Sequence, residues 1–306
     1  MYHRAFQDQL ALLPVNTANI LQQLIHQNGR LEPKQVNKLK GLIDLSSDHF
    51  LKVVLPLAAA MSISPISNFP VGAIVEGFRP EGQGPIYLGA NLEMAGQPLK
   101  MAIHAEQAAI SNAWHQGESR LRLLMVNEAP CGHCRQFMNE INQIEQVDIL
   151  VSPLDSNQQR QYSIANLLPN AFGPEDLKQS TRLMSSSKLS FESPDPADKL
   201  VNAATEAAQM SYAPYSGCHS GIALLIDNGD IITGRYAENA AFNPGMTAVE
   251  AALVNLRLSS LAKGQGKIVD AVLVEKQATI SHKGMTASII SHMEAELRYF
   301  VVSTYL

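Results

Sequence analysis

His104-Ala105-Glu106-Gln107 and, past one apolar stretch, Pro130-Cys131-Gly132-His133-Cys134 decide what the rest of the chain must build. Together they offer one imidazole and two thiolates, ligands suited to a borderline-soft cation such as zinc, and one carboxylate not needed as a ligand. Three protein ligands leave a coordination position open for water, the arrangement of a catalytic rather than a structural zinc centre. His133 is the obvious fourth donor, but the residue just before the second ligand of a Cys-x-x-Cys turn usually points away from the metal. Cys131 and Cys134 could instead be a redox pair, since Cys-x-x-Cys alone is a weak signal. The upstream His-x-Glu and the preceding proline favour zinc.

Two thiolates cancel the formal charge of the ion, so this zinc acidifies water less than one held by neutral histidines. Another group must help take the proton, and Glu106 stands two residues from a ligand. Residues 105–114 form a helix-prone stretch that ends near Gly117, placing His104 and Glu106 at its first turn. A first-turn carboxylate also simply suits a helix dipole. A second helix is expected from Pro130, which brings both thiols to a positive helix end.

Outward from these motifs, residues 48–61 read as an apolar helix with Ser46-Ser47 as possible caps and a kink at Pro56. Strands are expected at 71–76, 86–90, 121–126 and 147–151, alternating with helices as in an α/β sandwich with some parallel pairs. Upstream, residues 17–27 and 32–45 carry helical periodicity. A polar, turn-rich stretch over 175–195 reads as a linker, after which the pattern repeats. The repeat comprises helix 199–210, strand 221–226, an Asn228-Gly229 hairpin turn, strand 231–234, helix 247–258 and strand 271–274. Aligned by eye, Ala248 stands at the place of His104 and Glu250 at that of Glu106. No Cys-x-x-Cys follows, so the second core cannot build the same metal site.

These residues make the chain resemble the cytidine deaminases of the larger, dimeric bacterial type, in which a catalytic core is followed by a degenerate copy of itself. The likeness also rests on Ser67-Asn68-Phe69-Pro70-Val71-Gly72-Ala73, Gly89-Ala90-Asn91-Leu92-Glu93, Ala171-Phe172-Gly173-Pro174 and Tyr236-Ala237-Glu238-Asn239-Ala240-Ala241-Phe242-Asn243-Pro244, and is weakest over residues 1–47. It implies tandem three-layer α/β/α cores with mixed sheets behind a small helical N-terminal region. The expected division is 1–47 helical, 48–178 catalytic, 179–195 linker and 196–306 degenerate. It implies His104, Cys131 and Cys134 as ligands of one zinc ion per chain, Glu106 as proton shuttle, and Phe69, Asn91, Glu93 and Phe172 in nucleoside binding. Asn91 and Glu93 alternate after an apolar strand and so face one side, though a solvated strand end explains them equally well. Phe69 and Phe172 read as well as core residues. The expected reaction is hydrolytic deamination of cytidine and deoxycytidine to the uridine forms, for pyrimidine salvage. The resemblance also implies a homodimer in which the second core closes the neighbour's active site; residues 237–244 are the candidate contact, or merely a conformationally special loop.

Composition bounds the alternatives. The 306 residues carry 46% apolar and 17% charged side chains, enough for buried cores, and a net charge of −5. An acidic balance disfavours a nucleic-acid partner, and a nucleotide substrate would need cationic groups over its phosphate. No apolar run reaches the roughly eighteen residues of a membrane span. Three cysteines, two of them committed to metal, suggest a reducing compartment, the cytoplasm.

Overall fold

The computed structural model describes residues 2–43, 49–185, 188–264 and 266–303; the proposed caps Ser46-Ser47 lie outside them. The chain divides into two compact units, Met1–Ala171 and Phe172–Leu306.

The first unit opens with α1 (Tyr2–Ala11), α2 (Val15–Leu21), α3 (Gln23–His26), β1 (Arg30–Leu31), α4 (Pro33–Ile43) and α5 (His49–Ala59), which continues through Pro56. Then follow β2 (Gly72–Gly77), β3 (Ile86–Ala90), α6 (Ala105–His115), β4 (Leu121–Val126), α7 (Gly132–Met138), β5 (Asp148–Val151), β6 (Arg160–Tyr162) and α8 (Ile164–Leu167). The sheet order is β1-β3-β2-β4-β5-β6, with β4 and β5 parallel and the other pairs antiparallel. The N-terminal region is therefore not purely helical: β1 extends the sheet through Arg30 opposite Tyr87 and Leu31 opposite Ile86.

Every residue of β2 and β3 is buried, which is why these strands read as near-continuous apolar runs: helices cover both faces. Two glycines set the layers. An ideal Cβ on Gly72 would lie 2.2 Å from Ala59 N of α5, and one on Gly89 would lie 2.1 Å from Ala109 N of α6. Gly72 pairs with Ala90, and Gly89 with Ala73. Adjacent positions point to opposite faces, so α5 and α6 cover opposite sides in a three-layer α/β/α arrangement.

The second unit repeats the plan with α9 (Lys199–Gln209), β7 (Ser220–Ile226), β8 (Ile231–Arg235), α10 (Ala248–Lys263), β9 (Ile268–Lys276), α11 (Lys283–His292) and β10 (Leu297–Val302). Its order β10-β9-β7-β8 is that of β5-β4-β2-β3, again with one parallel pair, β9 with β10. Even the irregularity recurs, between Glu76 and Gly77 on β2 and between Leu225 and Ile226 on β7. Gly221 and Gly234 admit α9 and α10 as Gly72 and Gly89 admit α5 and α6.

Gly89→Ala is expected to cost about 3 kcal/mol, the upper end for overpacking, because the clash is with backbone and cannot be relieved by a rotamer change. Gly41→Ala, in α4 with nothing within 4 Å of the new methyl group, should instead stabilise by about 0.5–1 kcal/mol. Urea unfolding of both variants checks the contrast.

Candidate metal and active site

His104 is the N-cap of α6 and Cys131 the N-cap of α7, so two helix N-termini converge on one set of donors. The second helix starts at Gly132, one step beyond Cys131, and not at Pro130 as the sequence suggests. His104 Nδ1 lies 3.5 Å from Cys131 Sγ, and Cys131 Sγ lies 3.6 Å from Cys134 Sγ. One tetrahedral zinc ion would span about 3.5 Å between nitrogen and sulfur and about 3.8 Å between two sulfurs. The donor set and its spacing therefore fit the ion. Both cysteines are free thiols, and His133 is not among the clustered donors. Its ring instead stacks on His104, with centroids 5.5 Å apart.

The three donors perturb one another. Hydrogen bonds from Cys134 and then His104 hold the Cys131 thiol at about 3. The same contact with Cys131, followed by burial, pushes Cys134 up, and the thiolate raises His104. Cation binding by these three donors would displace the protons they hold. Glu106 is only 4% exposed. Burial pushes its carboxyl up, against hydrogen bonds from its own backbone N–H and from Cys134 and the pull of His104. It is a carboxylate that can hold a proton.

The chain after β3 is laid against this centre by backbone pairing. Leu92 and Ile103 exchange two hydrogen bonds of 2.9 Å, which brings Asn91 and Glu93 beside His104. Asn91 Oδ1 accepts from Ser62 Oγ (2.6 Å) and Val71 N (2.9 Å), and its Nδ2 donates to Phe69 O at 3.0 Å. Asn127, unremarked in the sequence, accepts from Gly72 N at 2.6 Å and donates to Pro70 O at 3.3 Å. It ties the Phe69 loop to the strand end that leads into Pro130. Arg135 donates to Pro130 O (2.7 Å) and Leu167 O (2.9 Å), fixing the cysteine turn from below. Both are polar residues flanking apolar or ligand positions, and that was their only sequence signal. Phe69 is 52% exposed and so is not a core residue; Phe172, 46% exposed, opens the second unit.

The second core corrects the alignment made from sequence. Ala237 pairs with Met246 as Leu92 pairs with Ile103, and the glycine contacts equate Ala248 with Ala105 and Ala252 with Ala109. Thr247, not Ala248, thus occupies the place of His104, and Val249, not Glu250, that of Glu106. Glu250 serves the helix start: it accepts from Thr247 N (2.7 Å) and Oγ1 (2.8 Å). Counted from the caps, His282 and Met285 stand where Cys131 and Cys134 stand. Cys218, Glu275 and His282 do bring donor atoms together, but the carboxylate is already satisfied. Glu275 Oε1 accepts from His282 N at 2.8 Å and meets its Nδ1 at 3.0 Å, while Oε2 accepts from Ser281 Oγ (2.7 Å) and Tyr299 OH (3.0 Å). Burial pushes this carboxyl up, but the bonds from His282 and Ser281 outweigh it and hold it at about 2.

With this geometry in view, the comparisons are direct. A family model described as "Cytidine and deoxycytidylate deaminase zinc-binding region" matches residues 46–151, and a second of the same description matches 164–287. A curated cytidine deaminase of Photorhabdus laumondii is 44% identical over 85% of this chain and 85% of its own length. One from Serratia proteamaculans is 40% identical over 91% and 92%, and one from Shewanella sp. strain ANA-3 is 40% identical over 97% and 98%. The chain belongs to the zinc-dependent cytidine deaminase family, in its tandem-core form. No helix among the described residues is long and apolar enough to cross a membrane.

Two outcomes follow. Cys131→Ala and Cys134→Ala should each lose zinc on gel filtration, by metal analysis, whereas His133→Ala should keep it. Glu275→Gln should destabilise the second unit by about 1.5–3 kcal/mol at neutral pH. Because the folded carboxyl is depressed, its contribution is present above the ordinary value of 4.5 and fades as pH falls from there through about 2. Urea melts across that window read the gap; a gap undiminished near pH 2 contradicts the assignment.

Proposed function

We propose that this chain deaminates cytidine and deoxycytidine hydrolytically to uridine and deoxyuridine with release of ammonia, as a step of pyrimidine salvage. The observation that carries this reading is the pairing of a three-donor zinc set with one buried carboxylate, Glu106, that no ligand position requires. His104, Cys131 and Cys134 are the proposed ligands of a single zinc ion. When bound, zinc supplies Lewis acidity and lowers the pKa of a water.

Glu106 takes the proton of the attacking water, delivers it to N3 of the pyrimidine, and later passes a proton to the departing amino group. Its burial supports the role, since a shuttle must hold a proton as a stable neutral acid between transfers. Backbone N–H groups at the α7 N-terminus stand ready for charge developing at C4. Phe69, with half its surface exposed, is the proposed stacking face for the base. Asn91 and Glu93 complete the nucleoside site, and Phe172 is a further candidate.

We take the second core to be metal-free, one zinc per chain. Thr247, Val249 and Met285 at the equivalent positions, and the satisfied Glu275, support that. We keep the division into 1–47, 48–178, 179–195 and 196–306, a homodimer whose 237–244 segment completes the neighbour's site, and a cytoplasmic location. Nucleoside and water are the proposed substrates, and the net charge of −5 supports no nucleic-acid partner.

The test is ultraviolet absorbance of metal-quantified protein with cytidine. The expected result is loss of absorbance with ammonia release at one zinc per chain. Glu106→Ala should lose at least ~10²-fold in rate while keeping its zinc. Near-normal turnover in that variant overturns the shuttle, and two zinc ions per chain overturn the silent second core.

A further inference from the structure

The side chain of Asn91 reaches any ligand with little of its hydrogen-bonding capacity left. Its backbone is fixed first: Asn91 N donates to Val71 O at 3.1 Å, and Asn91 O accepts from Ile63 N at 3.0 Å. An amide oxygen has two lone pairs and an amide nitrogen two N–H groups. Both lone pairs of Asn91 Oδ1 are taken, by Ser62 Oγ at 2.6 Å and by Val71 N at 2.9 Å, and one N–H of Nδ2 goes to Phe69 O at 3.0 Å. Among the described residues, the amide therefore offers a ligand one N–H donor and no acceptor. Val71 N and Phe69 O are backbone groups of the loop before β2, so Ser62 supplies the side-chain bond of the three.

Ser62 stands just past the end of α5, where its N donates to Ala59 O at 3.0 Å. Its hydroxyl is thus anchored to a helix that covers the sheet, apart from the Phe69 loop. The second core shows what that hydroxyl does without an amide opposite. The bridges Ile63–Leu92 and Tyr212–Ala237 put Ser211 at the place of Ser62 and Tyr236 at that of Asn91. There the Ser211 hydroxyl turns back to Ala208 O of its own helix (2.7 Å) and meets His219 Nδ1 at 2.8 Å. Backbone geometry leaves a serine at this position a local acceptor, and in the first core the hydroxyl is spent on Asn91 instead. The terminal torsion of an asparagine is broad. A lost Ser62 bond would free a lone pair of Oδ1 and let the amide turn.

We propose that Ser62 is a positioning residue: it holds the amide of Asn91 so that a single N–H, and no acceptor, faces a 2′ or 3′ hydroxyl oxygen of the nucleoside sugar. This rests on the nucleoside deaminase reading above, in which Asn91 and Glu93 belong to one site. A hydroxyl suits that pair, since it accepts from the amide and still has its own proton to donate to a carboxylate. An amide free to turn would set its oxygen against the hydroxyl oxygen, acceptor against acceptor.

The test is a double-mutant cycle of Ser62→Ala and Asn91→Ala on cytidine, 2′-deoxycytidine and 3′-deoxycytidine, with amide hydrogen exchange at Val71. Ser62→Ala should lose about 3- to 10-fold in kcat/KM on cytidine, carried by KM, while keeping its zinc. The loss should disappear on the deoxynucleoside that lacks the accepting hydroxyl, and in the Asn91→Ala background. Exchange at Val71 should quicken in Ser62→Ala, because the amide oxygen that accepts from it is no longer held. A loss of equal size on all three nucleosides, a loss that persists without Asn91, or Val71 exchange unchanged from wild type overturns the proposal. If wild type turns over none of the nucleosides, the deaminase reading fails, and the exchange at Val71 still decides whether Ser62 holds the amide.

Discussion

The two backbone hydrogen bonds between Leu92 and Ile103 are the constraint from which the site follows. They end β3 and start α6 on the same square of backbone, so the next residue, His104, is obliged to be the N-cap of a helix packed flat against the sheet. Gly89 permits that packing by leaving α6 room for backbone contact. Once the helix start is fixed, Glu106 falls in its first turn, nearly out of solvent, and the residues flanking Leu92 lie beside the metal donors. Asn127 closes the arrangement from the far side by joining the Phe69 loop to the β4 end. The clustered donors His104, Cys131 and Cys134 are therefore held by strand ends and helix caps rather than by a free loop.

How much of this was legible in the sequence depends on the range of the signal. The clustering of His104, Cys131 and Cys134 was readable because ligand chemistry leaves a short, specific spacing, and the central strands because burial on both faces writes continuous apolar runs. The helix α1 escaped notice because few of its residues meet the core, and β1 because two residues cannot express a period. In the loop 79–85, Arg79 forms a bidentate pair with buried Glu118, and Gly84 N donates to Glu76, partners made adjacent only by the fold and so without a signal in sequence. The one-residue slip in placing the second core has a physical cause as well. The first-turn glutamates Glu106 and Glu250 were matched to each other, whereas caps and strand pairing, invisible in the letters, put Thr247 under His104.

The second core shows how the same fold is held with different residues at the donor positions. At the helix cap where the first core has Cys131 the second has His282, and the helix start is held to β9 by the donor-saturated carboxylate of Glu275. A buried charge is tolerable only under such saturation. The sheet order, the irregularity and the glycine contacts are common to both cores, whatever donors each carries.

The central claim is that three protein ligands, and not four, hold the zinc. X-ray absorption at the zinc edge of the purified chain tests it most directly. The account predicts two sulfur and one imidazole nitrogen scatterers with one further light atom that exchanges for a substrate analogue. A shell of four protein ligands, unchanged by any added nucleoside, would contradict it.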